Sequence, residues 1–309
     1  MSGVSITLGI TDVRRRSILR TVLPYLYILP AFIPLFIFVF YPLINSVYIS
    51  FLDWNMVSSN PKWVGASNYM ELIKSSEFWT SVWNTVKYAA WLLLFLAVAP
   101  FFAAFGVTRV GKKAQQFYKT ALFIPTVLSL AVASLIFLWL YNPVIGVFNA
   151  MLEVVHLPRV NWLTSPTWSL LSVSLIIAWK IFGYHFIIMY SALLSVPADI
   201  LESLRVDGLK SKTKLIRKFL LPLTGGTVLY IVVMTIVNGI QSAFIPIQML
   251  TNGGPDQQTN NLVFLTYQYA FQFFRSGLAS AAGILTFLFF LIVIAIQAFV
   301  IDRKIHYES

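Results

Sequence analysis

Cysteine is absent from the 309 residues. That excludes a disulfide framework, a cysteine-ligated zinc and a thiol nucleophile. Charge is scarce as well: Asp, Glu, Lys and Arg make up 11% of the chain, against about 25% in an average soluble domain. The three histidines, His156, His185 and His306, are far apart, with no H-E-x-x-H pattern, and there is no G-x-S-x-G elbow. Neither a metal centre nor an acyl-transfer centre is legible. What the chain has in excess is apolar: 58% hydrophobic and 16% aromatic residues, with a mean hydropathy of +0.79. That balance excludes an ordinary soluble enzyme, a disordered chain and a coiled coil. The net charge of +11 comes from 22 basic against 11 acidic residues. In so apolar a chain this points to basic loops on one side of a bilayer rather than to nucleic acid.

A helix crosses a bilayer core of about 30 Å with about 20 apolar residues. Six stretches are long enough: 22–50, 82–108, 117–141, 168–194, 222–247 and 277–301. Residues 1–309 are therefore expected to form one all-α transmembrane domain. Arg14, Arg15, Arg16 and Arg20 precede the first stretch as they would in a secretory signal. That stretch is too long for a signal core and lacks a small-x-small cleavage site, so it is read as a retained span. Pro24, Pro30, Pro34 and Pro42 should kink it.

Alternating the loops across six spans sorts the basic residues. Sixteen fall on one side: the four N-terminal arginines, Arg109, Lys112, Lys113, Lys119, Arg205, Lys210, Lys212, Lys214, Arg217, Lys218, Arg303 and Lys304. Lys62, Lys74, Arg159 and Arg275 fall on the other, and Lys87 and Lys180 lie within spans. The positive-inside rule then puts both termini in the cytoplasm. The outer loops carry Trp54, Trp63, Trp79, Trp162, Tyr267 and Phe271, which suit either an interfacial aromatic belt or a docking surface.

Gly106 to Lys112 fits the first seven positions of a phosphate-binding loop, but Lys113 stands where Ser or Thr should bind magnesium. The stretch also follows an apolar helix rather than a strand, so the chain itself is expected to bind no ATP and no other cofactor. Lys180 lies near the middle of the fourth span with Tyr184 one turn on. A lysine at that depth is costly, and it either lines a solute path or is satisfied by a group on a neighbouring helix. Lys87, near the outer end of the second span, should snorkel to the headgroups. Asn238, Gln241 and Ser242 follow helical spacing on one face of the fifth span. Amides there either bridge helices or contact a polar solute such as a sugar. The small residues Gly277, Ala279, Ser280, Ala281, Ala282 and Gly283 open the sixth span and should pack closely against a neighbouring helix or a partner subunit.

The loop 195–222 reads as a short helix, a break at Asp207–Gly208 and a second, basic helix ending at Pro222. Asp199 and Glu202 sit near the positive end of the first helix, and Gly208 supplies the turn. A compact helix–turn–helix of this kind suits a soluble partner. Here the chain resembles the permease subunits of bacterial carbohydrate ABC importers of the maltose and glycerol-3-phosphate type. Their hallmark loop has Glu-Ala-Ala, three residues, Gly and later Leu-Pro. Glu202, Asp207, Gly208, Leu221 and Pro222 match it, with Ser203 and Leu204 in place of the alanines. Tyr41–Pro42, Val64–Gly65, Asn68–Tyr69, Asn84–Thr85, Asn142–Pro143 and Thr251-Asn-Gly-Gly-Pro255 extend the likeness in order along the chain.

The resemblance implies a type I ABC importer permease fold in the bacterial inner membrane. Its implied partners are a second homologous permease, two ATP-binding cassette subunits that use ATP and Mg, and an extracytoplasmic solute-binding protein. It also implies that Glu202, Asp207, Gly208 and Pro222 couple the permease to the ATPase. The path candidates are then Lys180, Tyr184, Asn238, Gln241 and Ser242, and the substrate is a carbohydrate. An anionic solute such as glycerol phosphate or an acidic sugar is the alternative, because Lys180 could face its charge. A stand-alone secondary transporter is disfavoured, because all eleven acids lie outside the six stretches and proton coupling commonly uses membrane carboxylates. An intramembrane enzyme lacks its constellations.

Overall fold

Pro125 and Ser129 break the third apolar stretch in two. Proline removes a backbone donor inside the helix. Leu128 is extended, and the Ser129 hydroxyl accepts from the amide of Val132 at 3.2 Å to cap the next helix. The structure, a computed structural model, describes residues 25, 27–209 and 211–302. The expected continuous span 117–141 is therefore corrected: Lys112–Val127 and Leu130–Leu140 meet at a bend of 101°. Five further helices are long and apolar enough to cross a membrane: Tyr27–Ile49, Ser76–Val107, Ser169–Leu194, Gly225–Thr251 and Ser276–Gln297. Counting the bent pair as one gives six, and below they are numbered first to sixth in chain order. Arg14, Arg15, Arg16, Arg20, Pro24, Lys210, Arg303, Lys304 and His306 lie outside the described residues, so the part of the charge reading that rests on them does too.

The second, fourth and fifth spans form the centre. Tyr88, Leu92, Leu96, Val173, Ile177, Ile240, Ala243 and Ile247 are buried together there with Phe264. Gly183 sets the approach of the bent third span to the fourth. A Cβ at this position would meet the Leu122 carbonyl and stand 2.6 Å from the Phe123 Cα, so only glycine lets the two backbones touch. The Tyr190 hydroxyl adds a bond to Gln115 Oε1 at 2.7 Å. The first span stands apart: the most apolar stretch of Tyr27–Ile49 has no buried residue, and Phe38 is 77% exposed.

One end of the bundle is closed by a hairpin, β1 (Leu52–Asp53) and β2 (Lys62–Trp63), followed by the helix Ser67–Lys74. The Asn68 amide donates to the carbonyls of Ser50 and Leu52, each at 2.9 Å. Gly277 donates its amide to Trp54 O at 3.1 Å, and a Cβ on it would collide with the Leu52 carbonyl. The small residues at the start of the sixth span are thus used inside this chain: Ala279, Ala281 and Ala282 are buried in its own core.

The stretch 248–276, read from the sequence as an outer loop, is largely ordered. Leu262–Tyr267 is helical and continues as a π-helical turn over Gln268–Gln272. Leu262, Phe264 and Leu265 are almost completely buried, so the segment turns back into the bundle.

Candidate functional site

The loop at the other end has the expected two-helix form. Its first helix, Ala198–Val206, carries Asp199 in the first turn, where the helix dipole favours an acid. It ends in a Schellman closure. Asp207 donates its amide to Ser203 O at 2.9 Å, Leu209 donates to Leu204 O at 3.0 Å, and Gly208 takes φ +78°. No atom lies within 4 Å of where a Gly208 Cβ would be. The glycine is required by backbone conformation and not by crowding. The Ser211 hydroxyl then caps the second helix, accepting from Lys214 N at 3.3 Å.

One expectation needs correction: the second helix does not stop at Pro222. It runs through Leu223 behind a π-helical turn at Ile216–Leu220 and ends at Thr224, whose hydroxyl donates to Leu220 O at 2.7 Å. Pro222 sits in the first turn of the segment after that π turn, where a missing amide hydrogen costs least.

The loop has two faces. Leu201, Leu215 and Ile216 pack on a core that holds Phe101, Phe186 and Leu193 of the second and fourth spans. Glu202, Asp207, Gly208 and Pro222 all face out, beside Val206, which is 87% exposed. Between the loop and the bundle is a cavity of about 640 Å³, walled by Leu201, Leu204, Leu209 and Leu215 with Arg109 and Lys212 among its lining. Arg109 stacks on Phe105, 3.8 Å from the ring centre. The stretch Gly106–Lys112 joins the end of the second span to the start of the third, with a helix and not a strand before it. A phosphate-binding loop is not formed.

The path candidates separate into two groups. Lys180 is half-buried and Tyr184 is exposed on the same side of the fourth span. The Tyr184 hydroxyl lies 3.3 Å from that of Tyr230 on the fifth span. Asn238, Gln241 and Ser242 do not form one lining. Gln241 opens on a mainly apolar groove of about 860 Å³ with Phe244, Thr286 and Phe290. The Asn238 amide instead contacts Met234 Sδ at 3.1 Å, and Ser242 is half-buried away from the groove wall. A π-helical turn at Thr235–Gly239 includes Asn238. Lys87 reaches Asn84 Oδ1 at 3.4 Å.

Sequence reading missed a buried polar strap. The Asn84 amide donates to Gln257 O at 2.8 Å and Asn260 O at 3.0 Å. The Tyr88 hydroxyl donates to Thr259 O at 3.1 Å, and the Thr85 hydroxyl accepts from Leu262 N at 3.1 Å. Asn260 donates to both Gln257 Oε1 and Gln268 Oε1 at 2.7 Å, and Asn261 caps the following helix through Phe264 N at 2.8 Å. Thr259, Asn260 and Asn261 are fully buried. The signal was present as polar residues clustered in one outer loop opposite Asn84 and Thr85, but their partners lie more than 170 residues away.

At the hairpin end Arg275 makes a two-pronged pair with Glu71, with Nη2 to Oε2 at 2.8 Å. Hydrogen bonding from Arg275 holds the Glu71 carboxyl below the ordinary carboxylate range. The Tyr269 hydroxyl donates to Glu77 Oε2 at 3.2 Å, and burial, with Glu77 adding to it, pushes its pKa up to about 12.

Residues 101–307 match the family described as binding-protein-dependent transport system inner membrane component. Over 286 residues the chain is 28% identical to the sulfoquinovosyl glycerol transport system permease protein SmoG of Agrobacterium fabrum, covering 91% of each. It is also 28% identical to the sn-glycerol-3-phosphate transport system permease protein UgpA of Escherichia coli O157:H7, over 93% of this chain and 96% of that one. A chain in the crystal structure of a bacterial ABC transporter involved in the import of the acidic polysaccharide alginate superposes with a TM-score of 0.78. Its identity is 25%, and the match covers 94% of this chain and 99% of that one. A chain of the same fit comes from a bacterial alginate ABC transporter in complex with an alginate pentasaccharide-bound periplasmic protein.

Proposed function

The chain belongs to the binding-protein-dependent transport system inner membrane components, and we propose that it is the permease subunit of an ABC importer for a sugar or sugar derivative. The observation that carries this reading is the build of the loop 195–222. One face of its first helix is fixed to the second and fourth spans by Leu201, and the other presents Glu202, Asp207 and Gly208 to solvent. A rigid knob of this form passes a push from a soluble subunit directly to two spans. The ATP and Mg are then handled by two ATP-binding cassette subunits, and this chain supplies no catalytic group. A second homologous permease completes the path, and an extracytoplasmic binding protein delivers the solute at the hairpin end. The loop and both termini then lie in the cytoplasm. The relatives named above belong to transport systems for sn-glycerol 3-phosphate, sulfoquinovosyl glycerol and the acidic polysaccharide alginate, which supports a carbohydrate-derived cargo.

Two measurements test this reading. The absence of native cysteine makes Ser203→Cys a clean sidedness probe, and a membrane-impermeant maleimide should label it only in inverted vesicles. Gly208→Trp in the assembled importer should abolish uptake and the ATPase stimulation by loaded binding protein, while the permease still inserts. Unchanged uptake together with unchanged stimulation would overturn the coupling role.

A further inference from the structure

Lys180 is the twelfth residue of the helix Ser169–Leu194. At about 1.5 Å per residue it lies about 16 Å along the axis, near the middle of a bilayer core of about 30 Å. The helix is held on two other flanks. Gly183 touches the third span, and His185 Nδ1 is 2.7 Å from the Leu96 carbonyl of the second. These contacts fix which side of the helix is left over. That side carries half-buried Lys180 and, one turn on, Tyr184, which is 42% exposed and paired with Tyr230.

Among the described residues no acidic side chain pairs with this lysine. The two ion pairs among the described residues are Arg159 with Glu153 and Arg275 with Glu71. Both belong to connecting segments outside the spans, and no carboxylate among the described residues reaches Lys180. Lipid tails cannot solvate an ammonium, and the headgroups are half a bilayer away. The face must therefore meet water, a partner or the cargo.

From this placement we propose that Lys180 is the anion-recognition residue of the transport path. It takes the carboxylate, phosphate or sulfonate of an anionic sugar derivative, and the hydroxyls of Tyr184 and Tyr230 serve the uncharged hydroxyl groups beside it. The inference rests on the importer reading above and narrows its substrate class. Charge complementarity carries it: a lysine and two phenols, with no acid pairing with the lysine among the described residues, form a surface that favours anions over neutral sugars.

The test uses the complete importer in proteoliposomes with its binding protein. Uptake of matched probes is measured: sn-glycerol 3-phosphate against glycerol, and a di-uronate against maltose. Wild type should transport an anionic member. Lys180→Gln should lower that uptake at least tenfold while leaving any neutral uptake and the ATPase stimulation in place, and Lys180→Arg should restore a large part. Three results overturn the proposal: transport of neutral members alone, equal loss of both classes in Lys180→Gln, or rescue of Lys180→Glu by a new lysine in the second permease, which would make the cation a subunit-interface partner. ATPase stimulation without anionic uptake sinks this proposal alone. Absence of both uptake and stimulation sinks the importer reading, and this one with it.

Discussion

The fifth span has a connecting segment at each end, and the two are built in opposite ways. After Thr251 the chain is strapped down. Asn84, Thr85 and Tyr88 of the second span reach across to it, and Thr259, Asn260 and Asn261 have no solvent exposure. Before Gly225 the loop 195–222 satisfies its polar groups locally, through Asp207 to Ser203, Leu209 to Leu204 and Lys214 to Ser211, and keeps Glu202, Asp207 and Gly208 outside. Asn260 Oδ1 is left without a partner in the strap, but the bonds of Asn84, Thr85 and Tyr88 tie it to the second span, and a network so enclosed has no surface left for a partner. A loop that closes its own hydrogen bonds can be presented to a partner without losing its shape. The difference makes the strap a structural joint and leaves the loop's outer face open, as the proposed coupling role requires.

Breaking the strap should give the largest effect on stability. Asn84→Leu strands the Gln257 and Asn260 carbonyls inside the bundle, a loss of roughly 2 kcal/mol or more. A marked fall in melting temperature of the purified complex in detergent should show it, and no change would mean that the strap is not a joint. The loop should respond differently. Gly208→Leu costs about 1–2 kcal/mol for its left-handed backbone yet should cut ATPase stimulation far more than it cuts stability. Gly208→Asn, which tolerates that conformation, should keep most of the stimulation. If both variants fail alike, the backbone argument is wrong.

A smaller effect is expected from Tyr88→Phe, which removes the bond to Thr259 O at about 1 kcal/mol. Thermal unfolding alongside Asn84→Leu would rank the two. The smallest belongs to the Glu71–Arg275 pair. The carboxyl pKa is lowered in the folded state, so its contribution is fully present above the ordinary carboxylate pKa and is lost as pH falls through the lowered value. A pair whose side chains are each nearly half exposed should be worth about 1 kcal/mol or less. Comparing wild type with Glu71→Gln between neutral and acidic pH would detect it, and identical pH profiles would remove the pair from the account.

Much of this was readable in the chain. The apolar stretches and the two-helix loop with its turn at Gly208 are local features, and the structure places helices on them. The exceptions follow one pattern. Pro125 and Ser129 were visible, but whether a proline bends a membrane helix or breaks it depends on what receives the freed carbonyls. Asn238, Gln241 and Ser242 were visible as polar residues of an apolar helix, but that Gln241 opens on a groove depends on the sixth span across from it. The small residues at the start of the sixth span gave no hint that their neighbour would be the hairpin at Leu52.

By itself the sequence determined that this is a multi-pass membrane chain of mostly helical build and that residues 195–222 fold as two short helices about a turn at Gly208. Apolar length, turn chemistry and charge act over a few residues, and a bilayer demands that backbone bonds be closed within each helix. Only the tertiary structure decided that residues 248–276 turn back into the bundle and that Asn84 pins the strap. It also decided that Lys180 meets no acid among the described residues. These depend on which distant segments meet, and in a low-dielectric interior a polar group's consequence is set by the partner it finds or lacks.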